Sequence, residues 1–378
     1  MLNGHGHSEP IDAEFKFAVL ANRRIYGANV KQEIELGGDV VHYGDRIIKS
    51  PINQFDKFPK SNFIEATTND GQSITGMKGF ADRLFVFKES KLEIINIGKD
   101  DEFLEATHHH MGVKTDSAIC ETDYGLAWVN KDGCFLFDGE RIVNLLEKEG
   151  KRRISSTEWG DEIGDDSYIR YPMIQYHKKK RQLIVVDDSS AGPGDMYIYD
   201  MGTQGWVFSP GTATYTSDHG SNMLVDYNGQ VTFYNYSNDT MLRWSDTKIA
   251  SAKFQYLSPD IDFGEPGIRK KIYKVFLSFK GNGTHVQVQY GVNGLDPASN
   301  FYPITSGTDG SSTGTGAAAK CIAYDAGTTD WLCAELKPGA SINNIYSFQL
   351  KIHGDNTNAI AADFEINDIT IVWRAKKP

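Results

Sequence analysis

Residues 79–97 read GFADRLFVFKESKLEIINI. Two short apolar runs stand in this stretch, Leu84-Phe85-Val86-Phe87 and Leu92-Glu93-Ile94-Ile95, parted by Lys88-Glu89-Ser90-Lys91. Branched and aromatic side chains suit a pleated, half-buried surface, and a four-residue polar gap is a normal hairpin connection. The stretch therefore predicts a β-hairpin whose 84–87 strand lies in the core and whose tip, Lys88 to Lys91, is free to touch a partner.

Similar pairs recur. Gly125-Leu126-Ala127-Trp128-Val129 and Cys134-Phe135-Leu136-Phe137 flank Lys131-Asp132-Gly133, 173–176 pairs with 183–187, and 196–200 pairs with 206–209. Asn228-Gly229, a strong hairpin signal, lies between 221–227 and 230–236. Ile25, Leu84, Leu126, Leu183 and Met223 mark the innermost strands, at successive offsets of 59, 42, 57 and 40 residues. Four-stranded propeller blades take roughly 40 to 50 residues, so residues 13–249 fit an irregular β-propeller-like domain of about five degenerate blades.

Other segments punctuate this array. Residues 1–12 are rich in Gly and His and read as a flexible arm. Strands are expected at 15–30 and 33–48, with turns at Gly37-Gly38 and Tyr43-Gly44-Asp45-Arg46, followed by a loop over 50–60 marked by Pro51 and Pro59. A short helix ended by Gly150 is expected over 141–150, and a helical turn over 156–163.

Near residue 250 the pattern changes. Runs at 254–263, 269–279, 286–292, 334–336, 347–352 and 363–373 alternate apolar and polar residues, as in sheets with one buried face, and predict a β-sandwich over 250–378. The 306–319 run, SGTDGSSTGTGAAA, predicts a flexible loop or one ordered by a partner. The fold class is all-β.

Composition narrows the function. Lys and Arg number 39 against 50 Asp and Glu, a net charge of −11 that argues against a general polyphosphate-binding surface. The basic run His177-Lys178-Lys179-Lys180-Arg181 reads as a solvated hairpin tip. Cys120, Cys134, Cys321 and Cys333 are too few to staple a chain of this size and read as free thiols in a reducing compartment. The opening MLNGHGHSEP is not read as a signal peptide, and no apolar run approaches the roughly 20 residues that span a bilayer.

No chemistry-bearing pattern emerges. His108-His109-His110 on an extended chain would point to alternate sides, and His5 and His7 fall in the arm. The acidic pairs Asp161-Glu162, Asp165-Asp166 and Asp187-Asp188 would need a fold that sets carboxylates about 5 to 9 Å apart for glycosidic work. The sialidase-type Ser-x-Asp-x-Gly-x-Thr-Trp repeat is missing: Thr216-Ser217-Asp218-His219-Gly220 is the nearest approach, and Asn222-Met223 stand where its Thr-Trp would be. Walker-type and Cys-x-x-Cys motifs are absent too. Asp260, Asp262 and Glu265 could collect a calcium ion, but an exposed turn with Arg269, Lys270 and Lys271 pairing to those acids or to a neighbouring subunit is the simpler expectation. No cofactor and no metal are expected, and the chain is not read as an enzyme.

ITGMKGFADRLFVFKESKLEIINI (74–97) and GLAWVNKDGCFLFDGERIVNL (125–145) resemble the propeller-like structural proteins of bacteriophage tails and head–tail assemblies, particularly tail-nozzle and stabilisation proteins of short-tailed phages. SPDIDFGEPGIRKKIYKV (258–275) resembles the entry to the β-sandwich that follows such a propeller. The resemblance implies a virion protein assembled in the host cytoplasm. Its partners would be identical copies in a ring, hexameric by the family's habit, and other tail or adaptor proteins, with genomic DNA passing through the channel. Candidate subunit contacts are Lys178, Lys179, Lys180, Arg181, Arg269, Lys270, Lys271, Gly310, Ser311 and Ser312. The alternative is a glycan-binding or glycan-hydrolysing propeller with an accessory carbohydrate-binding sandwich, stacking sugars on Trp159, Trp206 or Trp244.

Overall fold

The computed structural model describes residues 13–33, 38–66, 70–99, 101–148, 150–163, 172–186, 194–213, 223–235, 240–244, 255–283, 285–294, 301–304, 306–308, 330–339, 342–354 and 360–376. The expected arm lies outside them. The chain is all-β and divides into two compact units, Met1–Trp244 and Ser245–Pro378, five residues before the expected boundary. No helix among the described residues is long and apolar enough to cross a membrane.

The first unit is a series of small antiparallel meanders in chain order. The first sheet holds β1 (Ala13–Ala21), β2 (Arg24–Glu33), β3 (Val40–Lys49) and β4 (Phe63–Glu65), and the second β5 (Ile74–Phe80), β6 (Arg83–Lys88), β7 (Lys91–Asn96) and β8 (Phe103–His109). The third holds β9 (Ile119–Thr122), β10 (Gly125–Asn130), β11 (Gly133–Phe137) and β12 (Ile142–Asn144). A ribbon of β13 (Glu147–Lys148) and β14 (Lys151–Arg152) and the helix α1 (Ser156–Ile163) follow. The fourth sheet contains β15 (Met173–His177), β16 (Gln182–Val186), β17 (Gly194–Asp200) and β18 (Gly205–Ala213). The fifth contains β19 (Met223–Val225), β20 (Val231–Asn235) and β21 (Thr240–Arg243).

The sheets stack face to face, and strand periodicity shows how. Successive side chains of a strand point to opposite faces. In β6, Leu84 and Val86 join Tyr26, Ala28 and Ile47 of the first sheet in one core, whereas Phe85 and Phe87 join the third sheet in another. Phe85 lies 4.9 Å from Phe137 and Phe87 lies 5.6 Å from Trp128, centroid to centroid. Leu126, Ala127, Trp128 and Val129 of β10 are all buried, in a core that also takes Leu183, Val185 and Tyr197 of the fourth sheet. Ile184 and Val186 then turn the other way, onto Met223 and Val231 of the fifth. Two-sided burial explains why these second strands are continuous apolar runs rather than alternating ones. Four of the five expected markers, Ile25, Leu84, Leu126 and Leu183, fall on the second strand of their sheets, and Met223 falls on the first strand of its own.

α1 closes a gap beside the third and fourth sheets. Ser155 Oγ accepts from the Glu158 N–H at 3.1 Å, satisfying one of the orphan donors at the helix start. The buried Trp159 then donates Nε1–H to Asn130 O at 2.9 Å and packs 5.1 Å from Tyr197.

Several expectations need correction. The strand pattern expected over 15–48 forms three strands, not two, because Asn22 and Arg23 take φ of 43° and 60° and make a tight hairpin turn. Tyr43-Gly44-Asp45-Arg46 is no turn: it lies in β3 as a bulge opposite Asn29. The helix expected over 141–150 is absent. Ile142 pairs with Phe137 as the fourth strand of its sheet, and the Leu145 N–H donates to Cys134 O at 2.7 Å, so tertiary pairing overrides helical periodicity. Cys120 and Cys134 are free and buried, Cys333 is free and exposed, and burial pushes the first two thiols up.

The expected 84–95 hairpin forms, with Phe87 opposite Leu92 and Leu84 opposite Ile95. Only half of its tip is free: Glu89 and Ser90 are exposed, but the two lysines are not. Lys88 is 0% exposed and Lys91 is 6% exposed. Lys88 Nζ and Lys91 Nζ both lie 2.7 Å from Asp70 Oδ2, Lys91 Nζ reaches the buried Glu93 at 2.8 Å, and Lys88 also donates to Ala66 O at 2.9 Å. Burial alone would raise Asp70, but hydrogen bonds from Lys88 and Lys91 prevail and hold its carboxyl at about 2. The 110–113 segment lies across the tip, with His110 N–H on Ser90 O at 2.8 Å and Val113 N–H on Lys88 O at 3.0 Å. A Cβ at Gly112 would overlap Lys88 O and Lys91 N.

The second unit has two antiparallel sheets. One orders β22 (Gln255–Leu257), β29 (Phe348–Gly354), β24 (Val286–Val292) and β25 (Tyr302–Pro303). The other orders β26 (Ser306–Thr308), β27 (Leu332–Lys337), β23 (Lys270–Lys280) and β28 (Asn343–Ile345), with β30 (Glu365–Ala375) also on β23. Val275, Leu277 and Phe279 share one core with Val286, Val288, Leu350 and Ile352. The strand expected over 254–263 is only three residues long, for Pro259 lacks an N–H to donate, and Ile261 makes a single bridge to Phe348. Residues 306–308 of the expected loop are strand, and 309–319 lie outside the described residues.

Asp70→Asn leaves two buried ammonium groups without their shared anion, and is expected to cost roughly 3 kcal/mol in urea unfolding. Because folding lowers the Asp70 carboxyl, its contribution is complete above the ordinary carboxylate range near ~4 and is lost as pH falls toward about 2. Unfolding midpoints measured across that window should fall more steeply for the wild type than for Asp70→Asn; parallel curves would contradict the role of the pair. Gly112→Ala is expected to destabilise by about 2 kcal/mol, since the obstructing atoms are backbone.

Candidate interaction surfaces

His177-Lys178-Lys179-Lys180-Arg181 closes β15 onto β16, and Lys178 to Arg181 are exposed, as a hairpin tip should be. Arg181 takes φ of 53°, and its N–H donates to Lys178 O at 3.2 Å. The buried His177 accepts the Lys180 N–H on Nδ1 at 3.3 Å.

The tip meets the turns of both neighbouring sheets. Lys178 Nζ lies 3.2 Å from Asp123 Oδ1 in the β9–β10 turn, and Asp123 Oδ2 accepts from the Tyr176 hydroxyl at 3.3 Å. Burial first, and then the Asp123 charge, push the Tyr176 phenol up to about 12. Tyr124 stands edge-on to Tyr176 at 6.4 Å. On the other side, Lys178 Cβ is 3.8 Å from the place of a Cβ on Gly229, in the β19–β20 turn. Asp226 opens that turn by accepting the Gln230 and Asn228 N–H groups, bonds that with the charges of Arg243 and Lys179 hold its carboxyl below the usual range. Arg243 Nη2 lies 3.2 Å from Asp226 Oδ2. Next to Asp226 in its turn, Tyr227 is 96% exposed. Sequence reading located the lysines but missed Tyr124, Tyr227 and Arg243. Each sits at or near a turn or strand end, yet nothing local says which turns meet.

The second basic run divides. Lys270 is buried, and its Nζ donates to Glu265 O, Ile268 O and Tyr346 O at 2.5, 2.8 and 2.9 Å. Its expected contact role is therefore corrected: it caps the carbonyls of the 265–268 turn, because a buried ammonium needs all three of its donors satisfied. Arg269 is exposed and donates Nε–H to the Tyr346 hydroxyl at 3.1 Å, and Lys271 stands 4.8 Å from the Tyr273 ring. Gly310, Ser311 and Ser312 lie outside the described residues.

Among the described residues no group of three or more His, Cys, Asp or Glu is placed to hold a metal ion. Asp262 Oδ1 accepts the Gly264 N–H at 2.9 Å, which is turn chemistry. His108 and His109 sit at successive positions of β8, and burial lowers His108. Asp165-Asp166 and Asp187-Asp188 lie outside the described residues. Trp159 is buried, Trp206 Nε1 donates to Leu145 O at 2.9 Å, and Trp244 packs on Met223 and its neighbours, so these three rings serve the cores. A cavity of about 370 Å³ opens between the β6–β7 tip, the β10–β11 turn and the end of α1. Val113, Val129, Ile163 and Pro172 line it with Glu89, Lys114, Lys131 and Asp132, charges of both signs that select no ligand class.

No protein-family model matches the chain. No curated protein matches it either. Among solved structures, a Trypanosoma rangeli sialidase in complex with sialic acid is similar at a TM-score of 0.33 and 8% identity, over 90% of this chain and 81% of that one. Hsv2 of Kluyvelomyces marxianus is similar at a TM-score of 0.31 and 8% identity, over 61% of this chain and 74% of that one. Likeness at this level assigns neither a family nor a chemistry.

Proposed function

We propose that the first unit is a β-propeller-like array of about five degenerate blades, the second a β-sandwich, and the whole a structural protein of a phage tail or head–tail assembly. In this reading the chain is no enzyme but one of a ring of identical copies, hexameric as the resemblance implies, around a channel for genomic DNA. It would meet tail or adaptor proteins and reach the virion after assembly in the host cytoplasm.

The observation that carries the reading is the face-to-face stacking itself. Each inner sheet is clamped from both sides, which makes a stiff scaffold of the kind the wall of a conduit requires. The stack also ends with exposed apolar side chains: Leu224 and Met241, both on the face of the fifth sheet turned away from Met223, are 54% and 60% exposed. Alternation along β19 and β21 puts them opposite the side that packs on the fourth sheet.

Negative-stain microscopy of the purified protein, alone and mixed with other tail proteins, is expected to show rings, and Leu224→Asp with Met241→Asp to reduce them. A clean monomer under all these conditions at high concentration would sink the reading. Turnover of bacterial surface polysaccharide by the wild type would point to the glycan alternative.

A further inference from the structure

The three turns joined around Lys178 carry a chemistry that the net charge conceals. Among the described residues, Lys178, Lys179, Lys180, Arg181 and Arg243 stand about Asp123 and Asp226 of these turns and Asp200 at the end of β17, five cations against three acids, in a chain of net charge −11. The acids are engaged. Asp123 holds Lys178 and Tyr176. Asp226 and Asp200 each accept backbone N–H groups of their own turns, Asp200 from Gly202 at 3.0 Å and Thr203 at 2.8 Å. The cations face outward: the side chains of Lys178 and Arg243 are 67% and 61% exposed. Tyr227 and Tyr124 present their rings and hydroxyls at the same turns. Three sheets supply the groups, so the spacing is set by the stack and not by a mobile loop.

We propose that this surface contacts the phosphate backbone of double-stranded DNA. Lys, Arg and Tyr are the side chains that donate to phosphate oxygens, and contacts of this kind carry no sequence information. Mutual screening over about 10 Å allows a local cationic surface to act although the rest of the molecule is acidic. Few contacts and a repelling surround make the grip weak and salt-sensitive, which suits DNA that must slide past. The choice of DNA among polyanions rests on the conduit reading above.

The test is fluorescence anisotropy of the full chain with a labelled mixed-sequence DNA duplex, titrated over a range of salt. Sequence-independent binding is expected at low salt. Lys179→Gln with Arg181→Gln should reduce the slope of log K against log salt by about 2, since each phosphate that is no longer neutralised removes about 0.9 from it. Tyr227→Phe should weaken binding at unchanged slope, whereas Lys131→Gln should leave it unaltered. Thermal melts matching the wild type would certify that the exposed-tip variants are folded, and Lys179→Glu alone, expected to weaken binding more than Lys179→Gln, gives a second reading. Absence of duplex binding at low salt, or an unchanged slope in the double variant, would overturn the proposal. So would tighter binding of a sulfated polysaccharide through the same two cations. Microscopy of the double variant separates the two readings: intact rings with weakened duplex binding support this surface, and loss of rings in the wild type as well would sink the assembly reading alone.

Discussion

Two-sided burial of the second strand is the constraint on which the first unit depends. A strand covered on one face tolerates a polar residue at every second position, but β6, β10 and β16 have no such face to spare. Their alternate residues serve different cores: Leu84 and Val86 one neighbour, Phe85 and Phe87 the other. A one-residue register slip would exchange the two sets and place phenylalanines where a leucine and a valine fit. The apolar runs thus specify stacking order as well as burial. They also leave the chain no way of ending a strand gradually, so polarity returns abruptly at the hairpin tips.

Lys88 and Lys91 show how that return is managed. Both ammonium groups leave water, an arrangement that is stable only when every donor finds an acceptor. Asp70 serves both lysines, Ala66 O takes a further Lys88 proton, and Glu93 completes Lys91. Replacing such a cluster by apolar residues is often neutral in stability, so its value is better sought in geometry. The hydrogen bonds fix Ala66, residues 70–72, the hairpin tip and, through Gly112, the strand exit after β8 as one body. Lys270 repeats the device in the second unit with three carbonyls in place of carboxylates.

Much of this was legible in the residues, but unevenly. Hairpins with local signals, Lys131-Asp132-Gly133 and Asn228-Gly229, form as read, and the offsets between markers find the sheet repeat. What failed depends on partners far along the chain. Ile142, Val143, Leu145 and Leu146 have helical spacing, but the open edge of β11 offers hydrogen bonds that a short helix does not match. Asn22-Arg23 is no strong turn signal, because the positive φ of Arg23 is imposed by pairing on either side. Lys88 and Lys270 look like surface residues by composition, and only the placement of Asp70 or Tyr346 shows otherwise.

The same limit governs electrostatics. Net charge is a sum over the chain, while a ligand responds to charges within about a Debye length. Lys178-Lys179-Lys180-Arg181 reads as an isolated tip in one dimension. Stacking three sheets brings to it Asp123 from some 55 residues before and Asp226 and Arg243 from some 50 to 65 after. The acids temper the cluster and orient it, holding Lys178 against one turn while Lys179 and Arg181 remain outward. Had the acids been absent, four adjacent like charges on a two-strand tip would repel one another and disperse. Partial neutralisation is therefore a condition of a defined basic surface, and the sheet order that buries Leu183 to Val186 also supplies it.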